Sequence, residues 1–363
     1  MQTKLAKLAI ANHAARKPAT IGVLMPTWIG DACMATPALR ALRSGFPHAR
    51  LVGVMRPVVG DLMSGLQTNC GQRCFDQVVC FQKTMLGRLH LAIRLRKERM
   101  DVALLLTNSF WSAAAMRLAG ARRIVGYARD ARRLLLTDPV HTNDRVDQLP
   151  LVDSYLRLTS WLGCDTRERR MTLAVSEDAR RQADELWTDL QFDLSRPTLV
   201  LNNSSASDPG RVWSADRVLE LAKRVANELD WQVLLHCGPA ERQSANAIAQ
   251  RAGDVRIASM GASSNGVVRH LPVSLSKAVL ERADLVLTSD SGPRHMAVAL
   301  DRKVITLYGS TTPNATQTYN MPEYPLLAPS GANNGTANSI NQINVEAVMQ
   351  QIRCLAQCRR QAA

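Results

Sequence analysis

Four short segments of the chain gather residue types that can bind and move a charged group. In Ser289-Asp290-Ser291-Gly292-Pro293-Arg294-His295, a carboxylate, a hydroxyl and an imidazole crowd the start of a predicted helix, "PRHMAVAL". Glycine permits a tight turn and close ligand approach, and proline suits the first helical turn. The unpaired N–H groups of a helix start attract an anion such as a pyrophosphate. A simple helix cap by Asp290 or Ser291 accounts for the same residues. In the loop "NNSSASDPGRVW", residues 202–213, Ser204, Ser205 and Ser207 offer hydroxyls and Arg211 a fixed positive charge. Such a loop either holds phosphate oxygens, with Arg capable of bidentate contact, or is a solvated surface. Glu241 follows "WQVLLHCGP", where acidic residues of dinucleotide-type sites accept ribose hydroxyls. Near the other end, "PTWIGDACMATPALRALR" (26–43) sets Gly30-Asp31 where a helix begins. Asp31 is either an ordinary cap or a general base.

The elements that must position these groups alternate between strand and helix patterns. "TIGVLM" at 20–25 is a buried-strand pattern, followed by a helix from Asp31 to Ser44. "RLVGVM" at 50–55 and "VVCF" at 78–81 are further strands, then comes a basic helix "LGRLHLAIRLRKER" and the apolar run "DVALLLTN" at 101–108. The rhythm restarts with "PTLVLNNSS" at 197–205, a helix at 214–229 and "WQVLLHCGP" at 231–239, and continues with strands at 284–288 and 303–308. Such alternation implies βαβ units and a mostly parallel sheet. The expected division is an N-terminal extension (1–19), a Rossmann-like domain (20–190), a second one (191–340) and a C-terminal helix (341–363) that could pack back on the first domain. All four chemical segments follow predicted strands, where doubly wound sheets bind ligands. Neither a GxGxxG fingerprint nor a GxxxxGK[ST] loop is present, which argues against a nicotinamide dehydrogenase or a P-loop NTPase.

Composition narrows the partners. The 363 residues are 46% apolar but only 4% aromatic, so aliphatic side chains must fill two cores of ordinary size. A net charge of +14 suits a nucleic acid, a phosphorylated small molecule or an acidic membrane, or is only a generally basic surface. Eight cysteines include Cys70/Cys74 and Cys354/Cys358, whose three-residue gaps are not the usual zinc spacing; with no secretory context they read as reduced, cytosolic thiols. No run reaches the roughly 18–20 apolar residues of a membrane span. The N-terminal "MQTKLAKLAIANHAARKP" is too charged for a signal sequence; it is either an amphipathic helix with Lys4, Lys7, Arg16 and Lys17 toward anionic lipid, or a disordered basic tail. "GANNGTANSINQIN", 331–344, is a loop before a last helix.

At these residues the chain resembles glycosyltransferase family 9, the ADP-heptose:lipopolysaccharide heptosyltransferases. "PTWIGDACMATPALRAL" is similar to that family's N-terminal motif and "TSDSGPRHMAVALDRKVITLYGSTTP" to its donor motif, with "GRVWSADR" and "LLHCGPAER" between them in order. The likeness spans roughly 20–325, and Pro-x-Trp-Ile-Gly-Asp and "TNSFWSA" (107–113) look more like the type II than the type I enzymes. The resemblance implies an α/β GT-B fold, two Rossmann-like domains facing across a cleft. It implies inverting, metal-independent transfer of heptose from ADP-L-glycero-β-D-manno-heptose to the heptose of the lipopolysaccharide inner core, with no cofactor beyond the sugar nucleotide itself. Position by position, Asp31 matches the general base, and Arg211 stands where the family usually carries Lys near the donor phosphates. Asp290 matches a donor-sugar contact, Ser291, Gly292 and His295 the diphosphate turn, and Glu241 a ribose contact; Ser204 and Ser205, read from their hydroxyls, are the further donor-binding candidates. Trp28, Gly30, Asn108 and Arg129 fall at acceptor positions. The implied partners are a phosphorylated lipopolysaccharide-core acceptor and the anionic cytoplasmic face of the inner membrane, with no nucleic acid. Arg88, Arg94, Arg96, Lys97 and Arg99 on one helix, with Arg122, Arg123, Arg129, Arg132 and Arg133 beyond it, are the basic groups that would face that acceptor. The loop 202–210 departs from the Pro-Gly-Ala-rich loop of type II enzymes, and the 331–344 loop is unusual, so another nucleotide sugar or acceptor is the alternative. A non-catalytic basic binding protein is the alternative from another class.

Overall fold

A computed structural model describes residues 18–82, 84–143, 148–203, 209–263, 266–309, 311, 313–329 and 340–360. Ser204, Ser205, Ser207, most of the N-terminal extension and most of the 331–344 loop lie outside those residues. The chain divides into a first unit, Met1–Thr172 with Ala315–Gln317, and a second, Leu173–Asn314 with Thr318–Ala363.

The first unit is built on one six-stranded parallel sheet. In chain order it contains β1 (Thr20–Leu24), α1 (Ile29–Met34), α2 (Thr36–Gly45), β2 (Arg50–Met55), α3 (Pro57–Met63), β3 (Gln77–Cys80), α4 (Met85–Arg96), β4 (Val102–Leu105), α5 (Phe110–Leu118), β5 (Arg123–Tyr127), β6 (Asp138–Val140) and α6 (Leu151–Trp161). The strand order is β3-β2-β1-β4-β5-β6. β1 and β4 lie in the middle and are buried along almost their whole length, which is why they appear in the sequence as continuous apolar runs rather than alternating ones. Gly22 of β1 answers a close approach: a Cβ there would stand 2.1 Å from the Met100 sulfur.

The single helix expected from Asp31 to Ser44 is instead two, α1 and α2, meeting at Ala35. Pro37 has no N–H to give to the Cys33 carbonyl one turn back, so the helical ladder loses that bond. The Thr36 hydroxyl donates to that carbonyl instead, at 2.7 Å, and itself accepts the Thr172 N–H at 3.1 Å.

The second unit repeats the plan. It contains α7 (Glu177–Asp189), β7 (Thr198–Asn202), α8 (Ala215–Leu229), β8 (Gln232–His236), α9 (Arg242–Ala252), β9 (Ile257–Ser259), α10 (Val273–Arg282), β10 (Leu285–Ser289), α11 (Gly292–Ala299), β11 (Val304–Tyr308), β12 (Glu323–Leu327) and α12 (Val345–Arg360). Its sheet runs β12-β11-β10-β7-β8-β9, again all parallel, the same order as the first when counted from β7.

Two expected boundaries move. α7 belongs to the second unit, where Arg180 donates to both carboxylate oxygens of Glu281 (2.7 and 2.9 Å), so the division falls at Thr172/Leu173 and not at 190/191. Ser195-Arg196-Pro197 only joins α7 to β7. The sequence leaves the last helix, α12, as one that could pack back on the first domain. It is part of the second unit and pairs Glu346 with Arg224 of α8 at 2.7 Å. Just before it, the Ile343 carbonyl accepts the indole N–H of the buried Trp213 at 3.1 Å.

Candidate functional site

In each unit the strand order reverses direction at one point, between β1 and β4 and between β7 and β10. The loops leaving those paired strands diverge at their carboxyl ends, where such sheets take ligands.

In the first unit this position holds Asp31 and Asn108. Asp31 is the third residue of α1, whose N-cap is Trp28 with no side-chain hydrogen bond. The carboxylate is therefore not the cap that the sequence left open. Burial pushes its pKa up from 3.8 to about 6. The hydroxyl of Tyr155, buried on α6, feels the same carboxylate; its pKa is driven well up, first by burial and then by Asp31. Trp28 is 59% exposed, Asn108 is exposed just after β4, and Gly30 and Arg129 are half-buried.

Arg132, counted among the basic groups for an acceptor, is instead fully buried. Its guanidinium donates to the carbonyls of Tyr127 and Thr107 and to the Ser112 hydroxyl, so it ties the loops after β4 and β5 together. Arg123 pairs with Asp138 at 2.6 Å and Arg122 with Asp101 at 3.3 Å, so neither offers an unpaired charge. The side chain of Arg88 lies outside the described residues. A cavity of about 680 Å³ in this unit is lined by Arg40, Thr68, Asn69, Cys70, Arg167 and Glu168 among others, and Asp31 is not in its wall.

In the second unit the carboxyl ends of β7, β8 and β10 converge on one polar network. Asn202 at the end of β7 gives its amide N–H groups to Thr288 (3.1 Å) and Ser291 (3.3 Å), and its carbonyl accepts Nδ1–H of His236 at 3.1 Å. Ser291 occupies the N-cap of α11 but makes no capping bond; its hydroxyl donates back to the Ser289 carbonyl at 3.2 Å. The first-turn N–H groups of α11 thus have no side-chain cap.

Arg211 reaches this turn from the loop after β7 and donates to the Asp290 carbonyl at 2.8 Å, with the Asp290 carboxylate 3.8 Å away. The Asp290 carboxylate accepts from Arg294 at 2.8 Å and lies 3.9 Å from His295 Nε2. Arg294 is almost wholly buried; it also grips Glu323 of β12 with two bonds (2.5 and 3.0 Å) and lies over the Tyr308 ring at 5.3 Å.

His295 is buried, and burial followed by the Arg294 charge drives its pKa well down, so it is a neutral imidazole. It can donate a hydrogen bond there but supplies no charge. Nδ1 of His295, Nε2 of His236 and the Ser289 hydroxyl are buried polar atoms with no hydrogen-bond partner among the described residues. Unpaired buried polar atoms are costly; two of these lie on either side of the Asp290–Gly292 turn, on Ser289 and His295, and the third, on His236, at the end of β8. Glu241 opens α9 and accepts the Gly238 N–H through Oε2 at 3.0 Å, beside a cavity of about 580 Å³ lined by Pro239, Arg242, Gln243 and Asn246 among others.

The structure therefore brings Arg211, Asp290, Ser291, Gly292 and His295 together, while Glu241 stands at its own turn after β8. Asn202, His236 and Arg294, which lie in the quoted segments without a role assigned to them, join the site, as does Glu323, which lies outside them.

The chain is similar in sequence and fold to known proteins. A model of glycosyltransferase family 9 (heptosyltransferase) matches residues 88–335. Lipopolysaccharide heptosyltransferase 2 of Escherichia coli K12 is 26% identical over 311 residues, covering 81% of this chain and 84% of its own length. A family 9 glycosyltransferase from Veillonella parvula superposes with a TM-score of 0.77 at 19% identity, over 93% of this chain and 97% of that one. The ADP-heptose lipopolysaccharide heptosyltransferase II of E. coli does so with a TM-score of 0.74 at 21% identity, over 94% and 99%. The two solved structures speak to the fold, which is GT-B with two Rossmann-like domains.

Proposed function

The chain belongs to glycosyltransferase family 9, the heptosyltransferases, and from that premise we propose that it transfers heptose from ADP-L-glycero-β-D-manno-heptose to the heptose of the lipopolysaccharide inner core. Configuration inverts at the anomeric carbon. The observation that carries this reading is the uncapped first turn of α11, with Arg211 bonded to Asp290 just before its N-cap.

The donor diphosphate is assigned to that turn. Its charge is met by the helix N–H groups, the helix dipole and Arg211, with neutral His295 as a further donor. Charge building on the departing ADP is met by the same groups, so the reading calls for no metal ion. Asp290, held by Arg294, contacts the donor sugar, and Glu241 offers Oε1 to a ribose hydroxyl. Ser204 and Ser205 complete the donor loop.

In the first unit Asp31 is the general base. It takes the proton from the acceptor hydroxyl as that oxygen bonds to the anomeric carbon and the bond to ADP breaks. A pKa near 6 leaves it ionised at neutral pH yet a better base than an ordinary carboxylate. Trp28, Gly30, Asn108 and Arg129 line the acceptor side.

Among the described residues no helix is long and apolar enough to cross a membrane. We place the enzyme as peripheral, on the cytoplasmic face of the inner membrane, where such an acceptor is anchored. Incubation with ADP-heptose and a heptose-terminated core acceptor should release ADP and give one anomer of product, read by NMR. Turnover of a different nucleotide sugar in preference, across a calorimetric panel, would replace the donor; no transfer from any of them would overturn the reading.

A further inference from the structure

We propose that the α4–α5 face of the first unit is a docking surface for an anionic phospholipid bilayer. The proposal deepens the reading above, because it says which surface brings the enzyme to a lipid-anchored acceptor.

Helices normally hide their apolar stripe and show charge of both signs. α4 and α5 do otherwise. Their inner faces pack on the sheet through Leu91, Leu95, Ala113 and Met116. Their outer faces still carry large apolar side chains: Ile93 is 54% exposed, Trp111 46% and Leu118 50%.

Trp111 and Leu118 stand two turns apart on one face of α5. Arg96 of α4 donates to the Leu118 carbonyl at 2.9 Å, which joins the α4 end to the α5 end, and Ile93 lies one turn before Arg96. The turn Asp130–Leu135 packs on α5 and adds Leu134, 88% exposed. Around these apolar groups Arg94, Arg96, Lys97, Arg99, Arg117 and Arg133 are exposed.

Neither α4 nor α5 contains an acidic residue. Among the described side chains, Glu98 is engaged by Arg50 at 2.7 Å and Asp101 by Arg122. Apolar anchors ringed by one sign of charge fit the interface of an anionic bilayer, where rings and aliphatic chains enter the headgroup boundary and Lys and Arg meet phosphates. A nucleic acid would use the charge but leave Ile93, Leu118 and Leu134 without a role. The face begins at Phe110 and Trp111, two and three residues after Asn108, so a bilayer on it lies next to the acceptor end of the sheet.

The test is partition of the full chain into phosphatidylglycerol/phosphatidylcholine vesicles, by co-sedimentation at low and high salt. The parent should bind these vesicles and not pure phosphatidylcholine. Arg94→Gln/Lys97→Gln should weaken binding about fivefold per residue at low salt, with the difference shrinking at high salt. Ile93→Ser/Leu134→Ser should weaken it on the order of tenfold at both salts. Val255→Ser/Val267→Ser, equally exposed in the second unit, should change nothing. Unaltered binding of both α4–α5 variants, an equal loss in the Val255/Val267 control, or tighter binding to a short DNA duplex than to vesicles would overturn the proposal. Transfer to a delipidated acceptor separates the two readings. Ile93→Ser/Leu134→Ser should keep it, and its absence in the parent counts against heptosyl transfer while leaving vesicle binding to judge the surface.

Discussion

Replacing Asp31 by Asn should sharply reduce turnover and stabilise the first unit at the same time. Burial raises the Asp31 pKa from 3.8 to about 6. Two pKa units at 1.36 kcal/mol each mean that ionised Asp31 costs the folded state about 3 kcal/mol above pH 6. The sign follows from proton uptake: between pH 3.8 and 6 the folded protein holds a proton that the unfolded chain has released. Stability from this group is complete below 3.8 and is lost as pH rises through 6. An uncharged Asn of the same shape removes that cost. For a unit of this size about 3 kcal/mol corresponds to a rise in Tm of about 6–12 °C at pH 7, an upper bound because the amide still needs hydrogen bonds. At pH 5 the gain should be about half as large. Loss of a general base costs on the order of 10²–10⁴ in kcat, while ADP binding in the second unit should be unchanged. In the parent, kcat/KM should rise with pH to a plateau above about 6. Calorimetric melting at pH 5 and 7, with ADP-release kinetics, reads all of this. An Asp31→Asn variant that turns over normally, or that melts several degrees lower, would refute the assignment, since the first removes the base and the second makes Asp31 a structural group.

Three further outcomes follow from the second unit. Arg211→Ala should weaken ADP binding on the order of tenfold or more by calorimetry, and Arg211→Lys should recover only part of it, because a point charge does not reproduce a guanidinium bonded to the Asp290 carbonyl. Acid should destabilise this unit: His236 (pushed down to about 4) and His295 (pushed well down) stay neutral when folded, while the unfolded chain takes up protons below about pH 6.5. Stability is complete above 6.5 and falls by about 2.7 kcal/mol per pH unit below it for the pair, which urea midpoints followed by hydrogen exchange in β7–β11 will show, with half the slope in His236→Gln. Arg294→Met should destabilise by about 3–5 kcal/mol, because it strands the buried Asp290 and Glu323 carboxylates, and adding Glu323→Gln should return part of that in chemical denaturation.

The strands at 20–25, 50–55 and 284–288 were legible because a strand covered on both faces is an unbroken apolar run. β9 and β12 were not: one is three residues long, and the other, "EYPLL", carries a proline and sits at the sheet edge. The break at Ala35 is written in Pro37, but the apolar period continues through it and hides it. Asp31, Arg211 and Asp290 stood out because each lies in a short local motif. The partnerships that tune them are not local, even where one partner lies in a quoted segment. Asn202 meets His236 only because β7 and β8 pair in parallel with those two residues opposite each other. Glu323 reaches Arg294 from 29 positions away, and Tyr155 reaches Asp31 from α6. Such pairings depend on register and burial, which local spacing does not encode.

The repeated strand order has a consequence in time. Every strand of the first sheet has been synthesised by Val140, whereas the second sheet waits for Leu327, about 190 residues later. At ribosomal speeds that interval is roughly 10–40 s. Within it β7 obtains β8 almost at once, but β10, which must cover its other edge, lags by about 80 residues. An apolar strand with one open edge invites pairing with the wrong chain. Misassembly during synthesis should therefore begin in the second half, and ribosome-stalled chains ending between β9 and β10 should be its most chaperone-dependent form, with a first half that already resists protease.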